Sequence, residues 1–261
     1  MNDILHEIII SKKEEIAKRK EIFSTELLEN NCGEFQRDTI SMSNSIKKSQ
    51  YGIISEFKRR SPSKGWINDK ANILQITQGY QDSGASAISI LTDKKYFGGN
   101  IEDIRMVRDS IKIPILRKEF IIDEYQIFQA KLIGADAVLL IASVLEKNRL
   151  HELSALAHQL GLEVLLEIHS EKELDYIDDN IEMIGVNNRN LGTFKTDISN
   201  SINLIDRLPK DKVHISESGI SSAETIQLLK SIGYNGFLIG ESLMKGSSPE
   251  KSLNKLIGEL C

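Results

Sequence analysis

The sequence has few cysteines and no long apolar run, and each shortage excludes a class of protein. Only two cysteines occur in 261 residues, Cys32 and Cys261, and no Cys/His cluster has the spacing of metal ligands. We therefore expect no metal site and a reducing, cytoplasmic setting. No stretch of about 18 apolar residues is present, so a transmembrane helix is not expected. The first 20 residues mix apolar residues with Lys and Glu, unlike a secretory signal.

An excess of basic residues is also missing. The 33 Lys and Arg residues are outnumbered by 38 Asp and Glu residues, which gives a net charge of −5, and the basic residues are scattered. Nucleic acids and anionic membranes attract proteins that carry a clustered positive face, so we expect neither partner. The composition, 40% hydrophobic and 27% charged, is typical of a globular protein with a sizeable core.

The first 50 residues predict a helical extension. Apolar residues recur at three- and four-residue spacing from Ile4 to Ile16, among lysines and glutamates, and this spacing indicates an amphipathic helix. A polar stretch over residues 30–50 follows, and we expect one more short helix in it.

Eight short apolar runs alternate with helical patterns over residues 51–261. Several runs are apolar at nearly every position, which is typical of parallel strands covered by helices on both faces. The predicted strands are residues 51–57, 87–92, 114–118, 136–141, 162–168, 182–187, 212–217 and 235–240. Eight such units can close into a barrel or lie as an open doubly wound sheet. The glycine-rich turn typical of the open sheet is missing after the first strand, so we predict an α/β fold of the (β/α)8 TIM-barrel type.

Polar and ionisable residues end nearly every predicted strand, where a barrel carries its chemistry. Alternation along the strand puts Glu56 and Lys58 on one face. Charges at an apolar strand end are costly unless they are paired, and two lysines and three glutamates at one mouth can pair with one another. Such clusters also shift pKa values, as general acids and bases require. The strand-end residues concerned are Glu56, Lys58, Lys118, Glu167, Asn187, Arg189 and Glu217.

Two glycine turns predict an anion site. Residues 217–222 leave the seventh strand through Ser218 and Gly219 toward a helix, and residues 239–244 leave the eighth strand through Gly240 and Glu241 into a short helix. Backbone N–H groups at such turns, aligned with a helix dipole, bind phosphate without a positive side chain. Phosphate sites of TIM barrels commonly lie after these two strands. We therefore expect a small phosphorylated substrate.

Seven motifs fall in order along the chain. They are ISEFKRRSPSKG at 54–65, SILTDKKYF at 89–97, PILRKEF at 114–120, LLEI at 165–168, IGVNNR at 184–189, SESGI at 216–220 and FLIGESLM at 237–244. Together with the helical extension, these motifs resemble the indole-3-glycerol phosphate synthase family of tryptophan biosynthesis. The resemblance implies a single barrel domain over residues 1–261, with residues 1–50 as the extension and residues 51–261 as the barrel. It also implies ring closure, decarboxylation and dehydration of 1-(2-carboxyphenylamino)-1-deoxyribulose 5-phosphate, with no metal or organic cofactor.

The resemblance further implies a role for each site residue. Lys118 would be the general acid that protonates the ketone oxygen and later the departing hydroxyl, with a pKa lowered by the apolar barrel and neighbouring cations. Glu167 would accept the ring proton or assist dehydration, and Lys58 would bind the substrate carboxylate and share acid duty. Glu56 and Glu217 would hold the lysines and the substrate hydroxyls, and Asn187 would orient the substrate or the catalytic groups. Ser61 would anchor the substrate near its carboxylate, and Phe97 and Phe120 would pack on the anthranilate ring. The residues that would bind substrate or phosphate are Arg189, Ser218, Gly219, Gly240 and Glu241.

Departures from the family pattern are small. Its common Lys-Asp-Phe reads Lys118-Glu-Phe here, and its common Asn-Arg-Asp-Leu reads Asn188-Arg-Asn-Leu191. Neither change removes a proposed acid or base. His169 follows Glu167 closely, and we expect a loop histidine rather than a proton relay. The turn-forming segment at 61–66 is predicted to be a lid over the site.

Two other functions are alternatives. Phosphoribosylanthranilate isomerase, a related phosphate-binding barrel, needs a cysteine base at its first strand, where this sequence has Glu56 and Lys58. A non-catalytic sugar-phosphate-binding barrel would lose its ionisable strand ends and keep its phosphate turns, which is the opposite of the observed pattern. The sequence does not determine the oligomeric state. We expect a monomer and leave open an association with other tryptophan-pathway enzymes.

Overall fold

Eight parallel strands close into a barrel in the computed structural model, which describes residues 4–35, 37–190 and 192–261. Leu191 of the motif at 188–191 and Met1 at the chain start lie outside the described residues. Each strand pairs with its neighbours in sequence, and the last strand pairs with the first. The strands are β1 (Ile53–Phe57), β2 (Ala87–Leu91), β3 (Ile115–Lys118), β4 (Ala137–Ile141), β5 (Glu163–Ile168), β6 (Met183–Asn187), β7 (Val213–Glu217) and β8 (Gly236–Ile239). The closed barrel confirms the predicted fold and excludes the open sheet.

Helices separate most of the strands, and a 3₁₀ turn separates β5 from β6. The helices are α1 (Ile4–Ile22), α2 (Thr25–Glu34), α3 (Met42–Lys48), α4 (Ile73–Asp82), α5 (Lys94–Phe97), α6 (Glu102–Arg108), α7 (Glu124–Leu132), α8 (Lys147–Gln159), α9 (Ser199–Leu204), α10 (Ala223–Ser231), α11 (Glu241–Met244) and α12 (Pro249–Leu260), with 3₁₀ turns at Glu171–Tyr176 and Ile205–Arg207. The amphipathic pattern found α1, whereas α2 was not predicted as a separate helix. None of the helices in the described ranges combines the length and apolar character that a membrane span requires.

The barrel interior is filled by alternate residues of the strands. Ile54, Leu116, Leu165, Ile215 and Leu238 belong to one buried cluster inside the barrel. Because successive side chains alternate between faces, the residue two positions further along each strand also points inward, at the carboxyl end. Those inward positions are Glu56, Lys118, Glu167, Glu217 and Gly240. The pleat of the strands therefore brings the predicted charges together.

Helix α3 closes the amino end of the barrel. Met42 and Ile46 are fully buried and join the interior cluster. The start of the helix is fixed by Glu163 on β5, whose carboxylate accepts hydrogen bonds from the backbone N–H of Ser43 at 2.7 Å and from the hydroxyl of Ser41 at 2.6 Å. With this end closed, the opening toward solvent lies at the carboxyl ends of the strands.

Candidate active site

A pocket of about 430 Å³ opens at the carboxyl ends of the barrel strands. It is lined by twelve of the predicted site residues, namely Glu56, Lys58, Phe97, Lys118, Phe120, Glu167, Asn187, Arg189, Ser218, Gly219, Gly240 and Glu241. The other two, Ser61 and Glu217, are buried and are not among the residues that line the pocket. Residues from seven βα units thus converge on one cavity, although they are spread over 186 positions of the sequence.

Two lysines and two glutamates form a connected chain at the floor of this pocket. The ammonium of Lys58 lies 2.5 Å from Oε1 of Glu56. The ammonium of Lys118 lies 3.5 Å from Oε2 of Glu56 and 2.8 Å from Oε2 of Glu217. Glu56 therefore stands between the two cations, and Glu217 holds Lys118 from below.

The pKa values of this cluster follow from burial and from these contacts. Burial alone would raise the pKa of Glu56, but Lys58 and Lys118 lower it to about 2. Burial raises the pKa of Glu217 to about 7, and the nearby charge of Glu167 acts in the same direction while Lys118 opposes it. One carboxyl of the cluster therefore titrates near neutral pH.

Lys118 departs from the sequence prediction of a lowered pKa. Burial does favour the neutral amine, but the carboxylates of Glu217, Glu56 and Glu167 outweigh it and raise the pKa above its ordinary value. The prediction was wrong because it considered only the effects of the apolar barrel and the neighbouring cations on the pKa of Lys118. The carboxylates that face the amine have the opposite and larger effect. Lys118 is therefore an ammonium ion in the free site.

Glu167 lines the pocket beside Lys118, with His169 behind it. Nε2 of His169 lies 3.5 Å from Oε1 of Glu167, and the imidazole is mostly buried. Neither ring nitrogen of His169 has a hydrogen-bond partner among the described residues. His169 lies in the loop just past the end of β5, as the sequence predicted, and its ring faces the carboxylate of Glu167.

Two phenyl rings form the wall at one end of the pocket. The ring centroids of Phe97 and Phe120 are 6.0 Å apart, with their planes inclined by 40°. Ile4, Leu5 and Ile8 of helix α1 line the same pocket. This end is apolar and suits an aromatic ring.

The opposite end of the pocket is formed by the turns after β7 and β8. Ser218 and Gly219 both have positive φ angles, of 67° and 76°. A positive φ is uncommon for a residue other than glycine, and such residues cluster at ligand sites. Successive backbone N–H groups in turns of this kind form concavities that bind anions.

Gly240 and Glu241 complete that end. A Cβ at Gly240 would lie 2.2 Å from Oε1 of Glu56, so only glycine fits between the turn and the charged cluster. The carboxylate of Glu241 is occupied by Arg189 at 3.2 Å and by Lys245 at 2.6 Å. Its backbone N–H lies in the first turn of α11, where helix N–H groups have no partner within the helix.

The segment after β1 is a small hairpin rather than an irregular loop. Arg60–Ser61 pairs with Gly65–Trp66 in antiparallel fashion, and Pro62 and Ser63 at its tip line the pocket. The hydroxyl of Ser61 is buried, without a hydrogen-bond partner in the part of the chain that the structure describes. Substrate anchoring by Ser61 stays a prediction, and so does lid closure.

Helix α1 contributes a residue that the sequence did not single out. Lys12 is buried, and its ammonium contacts Glu15 at 2.8 Å, Asp93 at 2.9 Å and Glu119 at 3.0 Å. The sequence gave no indication that Lys12 is buried, because a lysine among other lysines and glutamates in an amphipathic helix is usually exposed. The partner Glu119 is one of the departures from the family pattern.

The other departure, Asn190, organises its own loop. Its Oδ1 accepts hydrogen bonds from the backbone N–H groups of Gly192 at 3.0 Å and Thr193 at 2.9 Å. Oδ1 of Asn187, three residues earlier, accepts a hydrogen bond from the N–H of Arg189 at 2.9 Å.

Within the described ranges, no three His, Cys, Asp or Glu side chains converge as a metal ion would require.

Comparisons with known proteins identify the family of the chain. A family model described as indole-3-glycerol phosphate synthase matches residues 5–256. The chain is 52% identical to an indole-3-glycerol phosphate synthase of Bacteroides thetaiotaomicron, with 98% of each chain covered, and 44% identical to one of Caldanaerobacter subterraneus, with 93% of each covered. Among solved structures, a mutant tryptophan synthase α-subunit of Pyrococcus furiosus matches with a TM-score of 0.62. That match has 18% identity and covers 81% of this chain and 98% of the other, so it shows the fold alone.

Proposed function

The chain belongs to the indole-3-glycerol phosphate synthase family, and on that premise we propose how its site residues divide the work of the reaction. The enzyme is a carboxy-lyase of tryptophan biosynthesis. It converts 1-(2-carboxyphenylamino)-1-deoxyribulose 5-phosphate into indole-3-glycerol phosphate, with loss of carbon dioxide and water. A non-catalytic sugar-phosphate-binding barrel is not favoured.

The substrate lies across the pocket with its two ends held by different chemistry. The turns at 218–219 and 240–241 bind the phosphate through backbone N–H groups, and Arg189 lies beside them. Phe97 and Phe120 pack on the anthranilate ring at the apolar end. The ketone carbon between these ends then faces the charged cluster.

Lys118 acts as the general acid of ring closure. The aromatic carbon that carries the carboxylate attacks the ketone carbon, and the carbonyl electrons move to the oxygen, which takes a proton from the ammonium of Lys118. An ammonium with a raised pKa is fully protonated at neutral pH, and the alkoxide that forms is the stronger base, so the transfer is favourable. Glu217 and Glu56 hold this ammonium in place.

Lys58 and Glu167 serve the remaining steps. Lys58 binds the substrate carboxylate until it leaves as carbon dioxide, when the ring nitrogen, then cationic, takes up the electrons. Dehydration needs an acid for the departing hydroxyl and a base for the proton on the carbon next to the nitrogen. Lys118 or Lys58 supplies the acid, Glu167 removes the proton, and Asn187 orients the substrate.

The contact between Lys118 and Glu217 at the pocket floor is the observation that carries this proposal. Lys118→Met should lower kcat by at least about 10²-fold, the usual contribution of a general acid. Indole fluorescence that develops from the purified substrate measures the rate, and Lys172→Met, at an exposed lysine, is the matched control. A Lys118→Met enzyme with nearly normal kcat would move the acid role to another residue.

We also propose a domain organisation, an oligomeric state and a cellular location for this protein. We infer one domain over residues 1–261, because Met42 and Ile46 of the extension belong to the barrel's interior cluster. We also propose that the protein is a monomer. Two free cysteines, Cys32 and Cys261, fit a cytoplasmic location.

A further inference from the structure

Helix α1 carries one charged residue in its buried face. Ile8, Lys12 and Ile16 recur at four-residue spacing and are all buried against the barrel. The side chain of Lys12 is only 3% exposed. Burial of an unpaired ammonium costs free energy, so the groups that pair with Lys12 indicate the role of this residue.

The first buried partner, Asp93, supports one of the two phenyl rings. Asp93 is the N-cap of α5, and its Oδ1 accepts a hydrogen bond from the N–H of Tyr96 at 2.7 Å. Its Oδ2 receives the ammonium of Lys12 at 2.9 Å. Phe97 is the last residue of this short helix, so the position of its ring depends on Asp93.

The second buried partner, Glu119, supports the other ring. Its Oε1 accepts a hydrogen bond from the N–H of Phe120 at 2.9 Å and contacts the ammonium of Lys12 at 3.0 Å. Its Oε2 accepts a hydrogen bond from the hydroxyl of Thr92 at 2.8 Å. Glu119 thus fixes the backbone that carries Phe120, next to Lys118.

We propose that Lys12 is a positioning residue for the aromatic half of the substrate. One ammonium holds together two carboxylates that would otherwise repel each other, and those carboxylates set the positions of Phe97 and Phe120. The same ammonium anchors α1, whose Ile8 lines the pocket at that end. This inference rests on the proposed function, in which the two rings pack on the anthranilate ring.

Lys12 pairs with Glu15, Asp93 and Glu119, whereas the ammonium of Lys118 pairs with other residues. Lys118 is held by Glu217 and Glu56, and the phosphate turns follow β7 and β8, whereas the buried partners of Lys12 follow β2 and β3. Loss of the Lys12 charge should therefore weaken binding of the ring while leaving phosphate binding and the chemical step in place. A general loss of stability would instead weaken every ligand.

The test compares Lys12→Met and Lys12→Gln with Lys13→Met, an exposed lysine on the same helix. The readouts are kcat, KM and two inhibition constants, one for the product indole-3-glycerol phosphate and one for glycerol 3-phosphate, which lacks the ring. Both Lys12 variants should raise KM and the product constant by about tenfold, the equivalent of one lost aromatic packing contact. The glycerol 3-phosphate constant and kcat should stay within about twofold, as should all four values for Lys13→Met.

Lys12→Gln keeps one hydrogen-bond donor for the carboxylates and serves if Lys12→Met does not fold. Equal weakening of both inhibitors, or unchanged product binding in a folded Lys12 variant, would overturn the inference. Phe120→Ala separates this failure from failure of the proposed function. If Phe120→Ala weakens product binding and the Lys12 variants do not, only the role of Lys12 is wrong. If Phe120→Ala also leaves product binding unchanged, the ring does not pack there, and both proposals fail.

Discussion

Gly185 on β6 offers a way to move the acid cluster without touching a charged residue. Its backbone lies outside the left-handed region, so alanine is tolerated there as far as the main chain is concerned. A Cβ at this position would, however, lie 2.1 Å from Oε1 of Glu217 and 3.2 Å from Cδ1 of Leu165. Glu217 is completely buried, so its carboxylate has little room to retreat.

The size of the effect follows from this geometry. Relief of the contact requires Glu217 to shift by about 1 Å, and Lys118, 2.8 Å from its Oε2, must shift with it. A misplacement of that size in an active site costs about 10²-fold in rate. Overpacking should cost about 2 kcal/mol of stability, or about 4–8 °C in Tm for a chain of this length.

The assay is product fluorescence together with a thermal melt of Gly185→Ala. Gly258→Ala is the matched control, because its Cβ meets nothing within 4 Å and it should leave kcat unchanged. Glu217→Asp shortens the side chain by one methylene and makes room for the new methyl group. It should therefore cost less activity in the Gly185→Ala background than in the wild type. A Gly185→Ala enzyme with wild-type kcat, or strictly additive effects in the double variant, would refute the reasoning.

Two further predictions concern acid stability and the phosphate turn. The pKa of Glu56 is held at about 2 instead of 4.5, so its contribution to stability is present above pH 4.5 and is lost as the pH falls toward 2. The advantage of the wild type over Glu56→Gln in unfolding free energy should therefore shrink by about 3 kcal/mol from pH 5 to pH 2, measured by urea unfolding; a constant difference would contradict this. Gly219→Ala should raise KM by at least about tenfold, because φ is +76° and the new Cβ would lie 2.5 Å from Cγ2 of Thr196. Steady-state kinetics of the Gly219→Ala variant measures this KM, and an unchanged KM would argue against phosphate binding at this turn.

The sequence located the strands because each strand is a local pattern. The predicted run at 212–217 became Val213–Glu217, and the run at 235–240 became Gly236–Ile239. Continuous apolar character and a glycine or proline near the start of most runs are properties of a few neighbouring residues, so they can be recognised without the fold. Alternation within a strand likewise determined that Glu56 and Lys58 share a face, and the structure places both in the pocket.

Helix α2 shows where local patterns become weak. Its sequence, TELLENNCGE, has few apolar residues and no clear amphipathic spacing. It is defined by Ser24, whose side chain caps the N–H of Leu27, and by packing on α7. Packing against a distant helix does not leave a periodic signal in a short and mostly polar segment.

Only the tertiary structure decided which charges face one another. Lys118 and Glu217 are 99 positions apart, and their contact raises the pKa of the lysine, whereas the sequence suggested that it would be lowered. Lys12 is 81 positions from Asp93 and 107 from Glu119, so nothing near it in the chain distinguishes it from an exposed lysine. The residue types and their faces are local properties of the sequence. A pKa depends on every charge within several ångströms, and the closure of the barrel and the packing of α1 on it determine which charges those are.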